Sequence, residues 1–390
     1  MVSQKTKKLP TSDGFITPIE DHFSVRGTLS DKNTDRVEYT DIPLNAGTPL
    51  QRQRQSFLTP NALFFVRNHA LIPEVDVNTY RLSIDGMVKK TLSLSLFDLQ
   101  KDFASRTVTS TLICAGYRRH ELEAIAPIPN EVPWQADPIS TANWRGVPLQ
   151  EVLEAAGLRS GAAHIAFLGM DEAQGDGNPS GFGASIPIEK ALSPEVLLAY
   201  EMNGEPLPPE HGYPLRVIVP GYIGARSVKW LANITVQAEP STNYYQSRAY
   251  KLFQPHDRPE RVDWEQGRVL EELPVNSVIC EPADRACLKP GLTLIRGIAI
   301  GSGGRRVEKV EVSCDQGATW KHAQIAQEND WAWCFWQVWM DLAPGTYQFM
   351  VRAFDCAGYS QPEQLTEVWN FKGYANNAWH RIEVLVDRDK

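Results

Sequence analysis

The sequence lacks most of the features that would assign it to a simple class. Its six cysteines in 390 residues are too few for a disulfide scaffold and have no zinc-type or haem-type spacing. No stretch approaches the ~18 consecutive apolar residues of a membrane span. The first thirty residues hold Lys5, Lys7 and Lys8 but no following apolar run and no Arg-Arg pair, so no secretory signal is expected. The final Asp387-Arg388-Asp389-Lys390 forms no peroxisomal or lipidation tag. Basic charge is also short: 39 Lys and Arg against 47 Asp and Glu leave a net charge of −8, which disfavours a nucleic-acid partner. There is no P-loop, His-Glu-x-x-His helix, nucleophile elbow or Cys-x-x-Cys-His motif. Gly301-Ser302-Gly303-Gly304 lacks the spacing of a dinucleotide loop and reads as a turn. What is present is 42% hydrophobic and 22% charged, ordinary globular usage. At ~150 residues per domain the chain is long enough for two or three. The expectation is a cytoplasmic, multi-domain protein with neither a membrane nor a nucleic-acid partner.

Organisation changes along the chain. Residues 1–55 are polar and charge-mixed and read as a tail or wrapping arm. Residues 56–245 mix strands with short helices. Leu149, Val152, Leu153 and Ala156 recur at helical spacing behind Pro148, predicting a helix over 148–158, and a weaker one is predicted over 95–104. Residues 107–114 read as a strand with Val108, Ser110, Leu112 and Cys114 on one face; 213–219 and 228–236 are also strand-like. Residues 246–274, rich in Pro, Arg and Glu, form a connector. From 275 to 390 short alternating segments (292–299, 307–313, 333–340 and 346–354) are separated by Gly and Asp turns, which predicts an immunoglobulin-like β-sandwich. The fold class is therefore α+β: a mixed α/β domain followed by the sandwich.

The chemistry concentrates in Thr111-Leu112-Ile113-Cys114-Ala115-Gly116-Tyr117-Arg118-Arg119. A cysteine at a strand end, with a glycine turn and two arginines behind it, is placed where positive charge favours the thiolate, a soft ligand for a transition metal. The residues alone leave it open between such a ligand and a buried small apolar side chain.

Cys-Ala-Gly-x-Arg-Arg resembles the molybdenum-ligating motif of the sulfite oxidase family of molybdopterin enzymes. Three further segments resemble that family in the same order. They are Phe64-Phe65-Val66-Arg67-Asn68-His69, the pair Leu197-Leu198-Ala199-Tyr200-Glu201-Met202-Asn203-Gly204 and His211-Gly212-Tyr213-Pro214-Leu215-Arg216, and Gly224-Ala225-Arg226-Ser227-Val228-Lys229-Trp230. The sandwich is similar too, through Val312-Ser313-Cys314-Asp315-Gln316-Gly317-Ala318-Thr319-Trp320 and Trp379-His380-Arg381. The resemblance covers roughly residues 56–385.

The resemblance implies that Cys114 ligates molybdenum held by molybdopterin. It places Phe65, Val66, Arg67, Asn68, His69, Asp171, His211, Arg216, Ser227, Val228 and Lys229 at cofactor-contact positions. Arg67, Arg119, Tyr250 and Trp134 fall on substrate positions, where guanidinium forks suit a small oxyanion such as sulfite. The implied reaction is oxygen-atom transfer that yields sulfate. The implied assembly is a homodimer through the C-terminal domain. Residues 331–339, dense in tryptophan with rings on both faces, read as core packing with a possible interface share. Electrons would pass to an external acceptor, oxygen or a cytochrome, with no haem, flavin or NAD in this chain. Two positions depart from the family pattern: Tyr117 replaces an asparagine, and Lys372 replaces a substrate arginine, keeping the charge but losing the fork. The same cofactor acting on another substrate, as in nitrate reductases, is therefore the alternative. A cofactor-free homodimeric binding module is the alternative from a different class.

Overall fold

The computed structural model describes residues 36–175 and 181–388. Most of the arm predicted over 1–55 thus lies outside the described residues. Its final part adds two strands, Val37–Thr40 and Asn45–Gly47, to the short strand Val66–Arg67. This small sheet buries Asn45 and Ala46, so a polar stretch carries groups into the interior.

Residues 56–245 hold two five-stranded sheets. In one, Arg106–Ile113 pairs with Ile139–Pro148, which pairs with Leu197–Met202, and that strand also carries Glu205–Pro206 and Arg216–Ile218. The other runs Leu92–Leu94, Leu82–Gly86, Leu231–Gln237, His164–Gly169, Gly183–Pro187, with a single parallel pair between Leu82–Gly86 and Leu231–Gln237. The helix Leu149–Ala156 turns its Leu149, Val152, Leu153 and Ala156 stripe onto a core containing Ile84, Phe167 and Ile234, as its 3.6-residue spacing requires. The weaker predicted helix forms over Leu96–Asp102, started by a capping box between Ser95 and Asp98. The strand expected from 228 begins only at Leu231, because Trp230 takes a left-handed φ of 49° that breaks extended pairing. That break turns residues 227–229 toward the functional cavity.

The C-terminal unit is a sandwich of two sheets. One contains Asn276–Glu281, Gly291–Ile300, Cys334–Leu342 and Gln324–Ala326; the other contains Ala286–Leu288, His380–Val386, Gly345–Asp355, Val307–Ser313 and Lys321–His322. Between them pack Ile295, Trp336, Val338, Phe349, Val351 and Ile382, the period-2 inner faces expected of such a pair. The uneven aromatic run of residues 331–339 has a packing explanation. Trp336 enters the sandwich core, whereas Trp333 and Phe335 join a second cluster with Ile113, Ala115 and Tyr117. Two backbone links reinforce that contact: Thr111 donates its N–H to the Trp331 carbonyl at 3.0 Å, and the Trp333 N–H donates to Thr111 Oγ1 at 2.8 Å. The strand that ends at Cys114 is therefore clamped from below by the sandwich. No helix among the described residues is long and apolar enough to cross a membrane.

Candidate active site

Cys114 follows directly on the strand Arg106–Ile113, at the point where pairing with Ile139–Pro148 stops. Its N–H donates to Pro138 O at 3.0 Å and its carbonyl accepts from the Tyr117 N–H at 3.0 Å, so the residue is held in a tight turn. The Gly116 N–H points at Sγ from 3.4 Å. Cys114 lines a cleft whose walls also include Phe65, Arg67, Asn68, His69, Asp171, Phe182, His211, Arg216, Ser227, Val228, Lys229 and Tyr250. A concave site with an apolar wall and a few convergent polar groups is the usual form of a ligand pocket.

The charge in this cavity is unbalanced. Arg216 is buried and donates only to backbone oxygens, to His211 O at 2.8 Å and Ser227 O at 3.0 Å, while its Nε has no partner. Burial lowers its pKa to about 9. Lys229 donates to Asn68 Oδ1 and, at 2.9 Å, to Glu210 O, and burial, with Arg216 beside it, pulls its pKa well down. Arg67 donates to Asn45 Oδ1 at 3.2 Å and to the Asn68 carbonyl. Among the described residues these three cations form no ion pair with a carboxylate, and the buried Asn68 Nδ2 has no partner at all. Buried cations without counter-ions are costly unless an anion fills the space between them. A pterin with a terminal phosphate is such an anion, and Asp171 in the same wall is a hydrogen-bond acceptor of the kind its amines would need. The residues present fit the group.

Cys114 differs from its sequence expectation in one respect. Burial pushes the thiol pKa up, and the charges of Arg67 and Arg119 only partly offset this. Neighbouring arginines were expected to favour the thiolate; in the protein alone desolvation wins, and coordination to a metal removes the proton outright. Arg118, the other arginine of the motif, turns away from the cavity altogether. It takes a left-handed φ of 61°, is wholly buried, and forms a bidentate pair with Glu121, with both contacts at 2.7 Å. Among the described residues no group of three or more His, Cys, Asp or Glu side chains could hold a metal ion. A metal at Cys114 therefore needs further ligands carried by another molecule.

On the substrate side, Tyr250 OH and His69 Nε2 meet at 2.8 Å, and His69 Nδ1 lies 3.3 Å from Arg67. Burial, with the charges of Arg67 and Lys229, holds His69 well below its usual pKa, so it is neutral. The other predicted site residues lie elsewhere. Val66 is a buried strand residue outside the cavity lining. Trp134 is fully buried against Tyr39, rings 4.6 Å apart, with Nε1 unpartnered, in the apolar cluster that includes Cys114. Arg119 and Lys372 sit behind Tyr250. Gly116 and Gly373 make room for Arg119: a Cβ on either would lie 2.6 Å or 2.5 Å from its side chain. Sequence reasoning missed Asn45, which ties Arg67 to the Asn68 N–H, and Tyr374, which stacks on Tyr250 at 5.4 Å. It also missed Glu131, an isolated acid in a proline-rich loop with no sequence signal.

Comparison with known proteins gives two family matches: an oxidoreductase molybdopterin binding domain over residues 69–245 and a Mo-co oxidoreductase dimerisation domain over 267–387. Sulfite oxidase of Gallus gallus is 42% identical over 87% of this chain and 75% of its own length. Mitochondrial sulfite oxidase of Rattus norvegicus is 42% identical over 88% of this chain, which spans 64% of that protein, less than two thirds. The sulfane dehydrogenase SoxCD of Paracoccus pantotrophus superposes with a TM-score of 0.76 at 26% identity, covering 98% of this chain and 96% of that one.

Proposed function

From the premise that this chain belongs to the sulfite oxidase family of molybdopterin oxidoreductases, we propose that it oxidises sulfite to sulfate at a molybdenum ligated by Cys114. The observation that carries the reading is the trio Arg67, Arg216 and Lys229, which line one cavity with Cys114 and form no ion pair with a carboxylate among the described residues. When bound, the molybdenum cofactor supplies two-electron oxygen-atom transfer.

The chain's own residues bind, neutralise and orient. Cys114 Sγ, as the thiolate, would be the protein ligand to the metal. Arg216 and Lys229 would neutralise the cofactor phosphate, to which Ser227 would donate a hydrogen bond; Asp171 would accept from pterin amines and the unpartnered Asn68 Nδ2 would donate, while Phe65, Val228 and His211 complete the wall. Arg67 presents a guanidinium to the oxyanion. Neutral His69 fixes the Tyr250 hydroxyl, which then contributes a single oriented hydrogen bond. Trp134 supports this wall from behind. The local positive field attracts an anion despite the chain's net charge of −8. We place the electron acceptor, oxygen or a cytochrome, outside the two matched domains. Dimerisation, which the matched domain name supports, we assign to the C-terminal sandwich, and the solution molar mass of the loaded protein checks it.

The test is metal analysis of protein purified natively from a cofactor-competent host, combined with sulfite-dependent reduction of oxygen or cytochrome. About one molybdenum per chain and robust turnover are expected. Metal-loaded protein inert toward sulfite contradicts the proposed substrate, and protein without molybdenum or pterin points to a binding module. Lys372 supplies a narrower prediction. Its ammonium retains the charge at a substrate position, so Lys372→Ala should raise the sulfite KM roughly tenfold and Lys372→Arg should shift it several-fold. A KM unchanged in both variants contradicts a substrate role for Lys372.

A further inference from the structure

Behind Tyr250 lies a charge cluster that the site as described leaves unexplained. Glu131 Oε2 is 3.4 Å from an Arg119 Nη, and its Oε1 is in direct contact with Lys372 Nζ. The Glu131 side chain is 13% exposed. Arg119 spends its other nitrogens on Lys372 O at 3.1 Å and Val132 O at 2.7 Å. Both cations lie over the ring of Tyr374, at 5.2 Å and 5.7 Å, and that ring stacks on Tyr250. A carboxylate thus holds the two cations that a small oxyanion would otherwise use. Its charge is felt further in, where it pushes up Cys114 and Tyr250 after burial, the main cause.

We propose that Glu131 is an internal counter-anion that sets the affinity and charge selectivity of the substrate site, occupying Arg119 and Lys372 until a sulfur oxyanion displaces it. This deepens the sulfite-oxidising reading and rests on it. Arg67, Arg119 and Lys372 unopposed would bind the product dianion as firmly as the substrate and delay its departure. One carboxylate lowers the local charge by one, keeps both cations oriented and solvated by a protein group, and offers them a partner again when sulfate leaves. Glu131 acts through Arg119 and Lys372, so it is a positioning residue.

The experiment compares the holoenzyme with its Glu131→Gln and Glu131→Asp variants by calorimetric titration with sulfate and with nitrate, and by sulfite kinetics. Glu131→Gln should tighten sulfate binding and lower the sulfite KM by roughly five- to tenfold, with no rise in kcat. Nitrate, a monoanion, should gain less than sulfate, and Glu131→Asp should return toward the unmodified values. Sulfate affinity unchanged or weakened in folded Glu131→Gln overturns the proposal, as does an equal gain for both anions. Should Glu131→Gln not fold, Glu131→Ala takes its place: it also removes the charge and should tighten sulfate, and unchanged affinity overturns the proposal. Sulfate titration needs no turnover. A flat result alongside normal molybdenum content and sulfite oxidation therefore removes Glu131 alone, whereas missing metal or turnover in the unmodified chain removes the reading beneath it.

Discussion

Replacing Cys114 with serine should abolish sulfite turnover, a loss on the order of 10³-fold or more, with the melting temperature within a few degrees of the unmodified protein. The turn that holds Cys114 is made by backbone groups, Cys114 N–H to Pro138 O and Tyr117 N–H to Cys114 O, and a serine preserves both. Only the sulfur and its 3.4 Å contact from the Gly116 N–H change. The smaller, harder oxygen is a poor substitute for a soft thiolate ligand and leaves only a small gap, so the chemistry fails while the packing survives. Steady-state assays and thermal melts check the two halves separately. Full activity in the variant contradicts the assignment of Cys114, and a collapsed melt assigns the residue to structure.

The next residue pair in the motif should respond in the opposite way. Arg118→Leu is expected to cost about 3–5 kcal/mol of stability, because it strands a carboxylate that the fold has largely removed from water. Arg118 is wholly buried and spends its guanidinium on Glu121, on Asn276 Oδ1 at 3.0 Å and on Ala378 O at 2.8 Å. It ties the turn behind Cys114 to the sandwich. Burial pushes the Glu121 carboxyl up, but Arg118 more than cancels this and leaves it below its ordinary value. A depressed carboxyl contributes stability that is complete above its unfolded pKa and is lost as pH falls through the folded one. The Arg118→Leu penalty should therefore be full at pH 7 and shrink in acid below the ordinary carboxylate range. Urea denaturation at several pH values measures it, and a double replacement of Arg118 and Glu121 by apolar residues should recover part of the loss. A penalty below about 1 kcal/mol at pH 7 contradicts the role.

These two results mark where sequence reasoning reached and where it stopped. The meeting of Cys114, Arg216, Ser227 and Lys229 at one cavity followed from the family resemblance of separate segments, since each residue taken singly also suits an ordinary structural role. The sandwich was legible from its alternation, and the helix Leu149–Ala156 from its spacing. Residue type alone does not separate Arg118 from Arg119; the family resemblance singled out Arg119, and Arg118, with its left-handed backbone, pairs with Glu121 instead. Two cations near Cys114 are legible in the sequence, but the depth of burial that opposes them in the chain without a metal is not. Asn45, Glu131 and Tyr374 act across long separations, with Glu131 and Lys372 241 residues apart. Local pattern carries no information about such a meeting, and the proline-rich loop around Glu131 reads as polar surface.

The account depends most on the bond between the sulfur of residue 114 and molybdenum. X-ray absorption at the molybdenum edge, on natively purified protein and on the Cys114→Ser variant, tests it directly. The account predicts metal in both, with one fewer sulfur neighbour in the variant. An identical sulfur shell in the two proteins would contradict it.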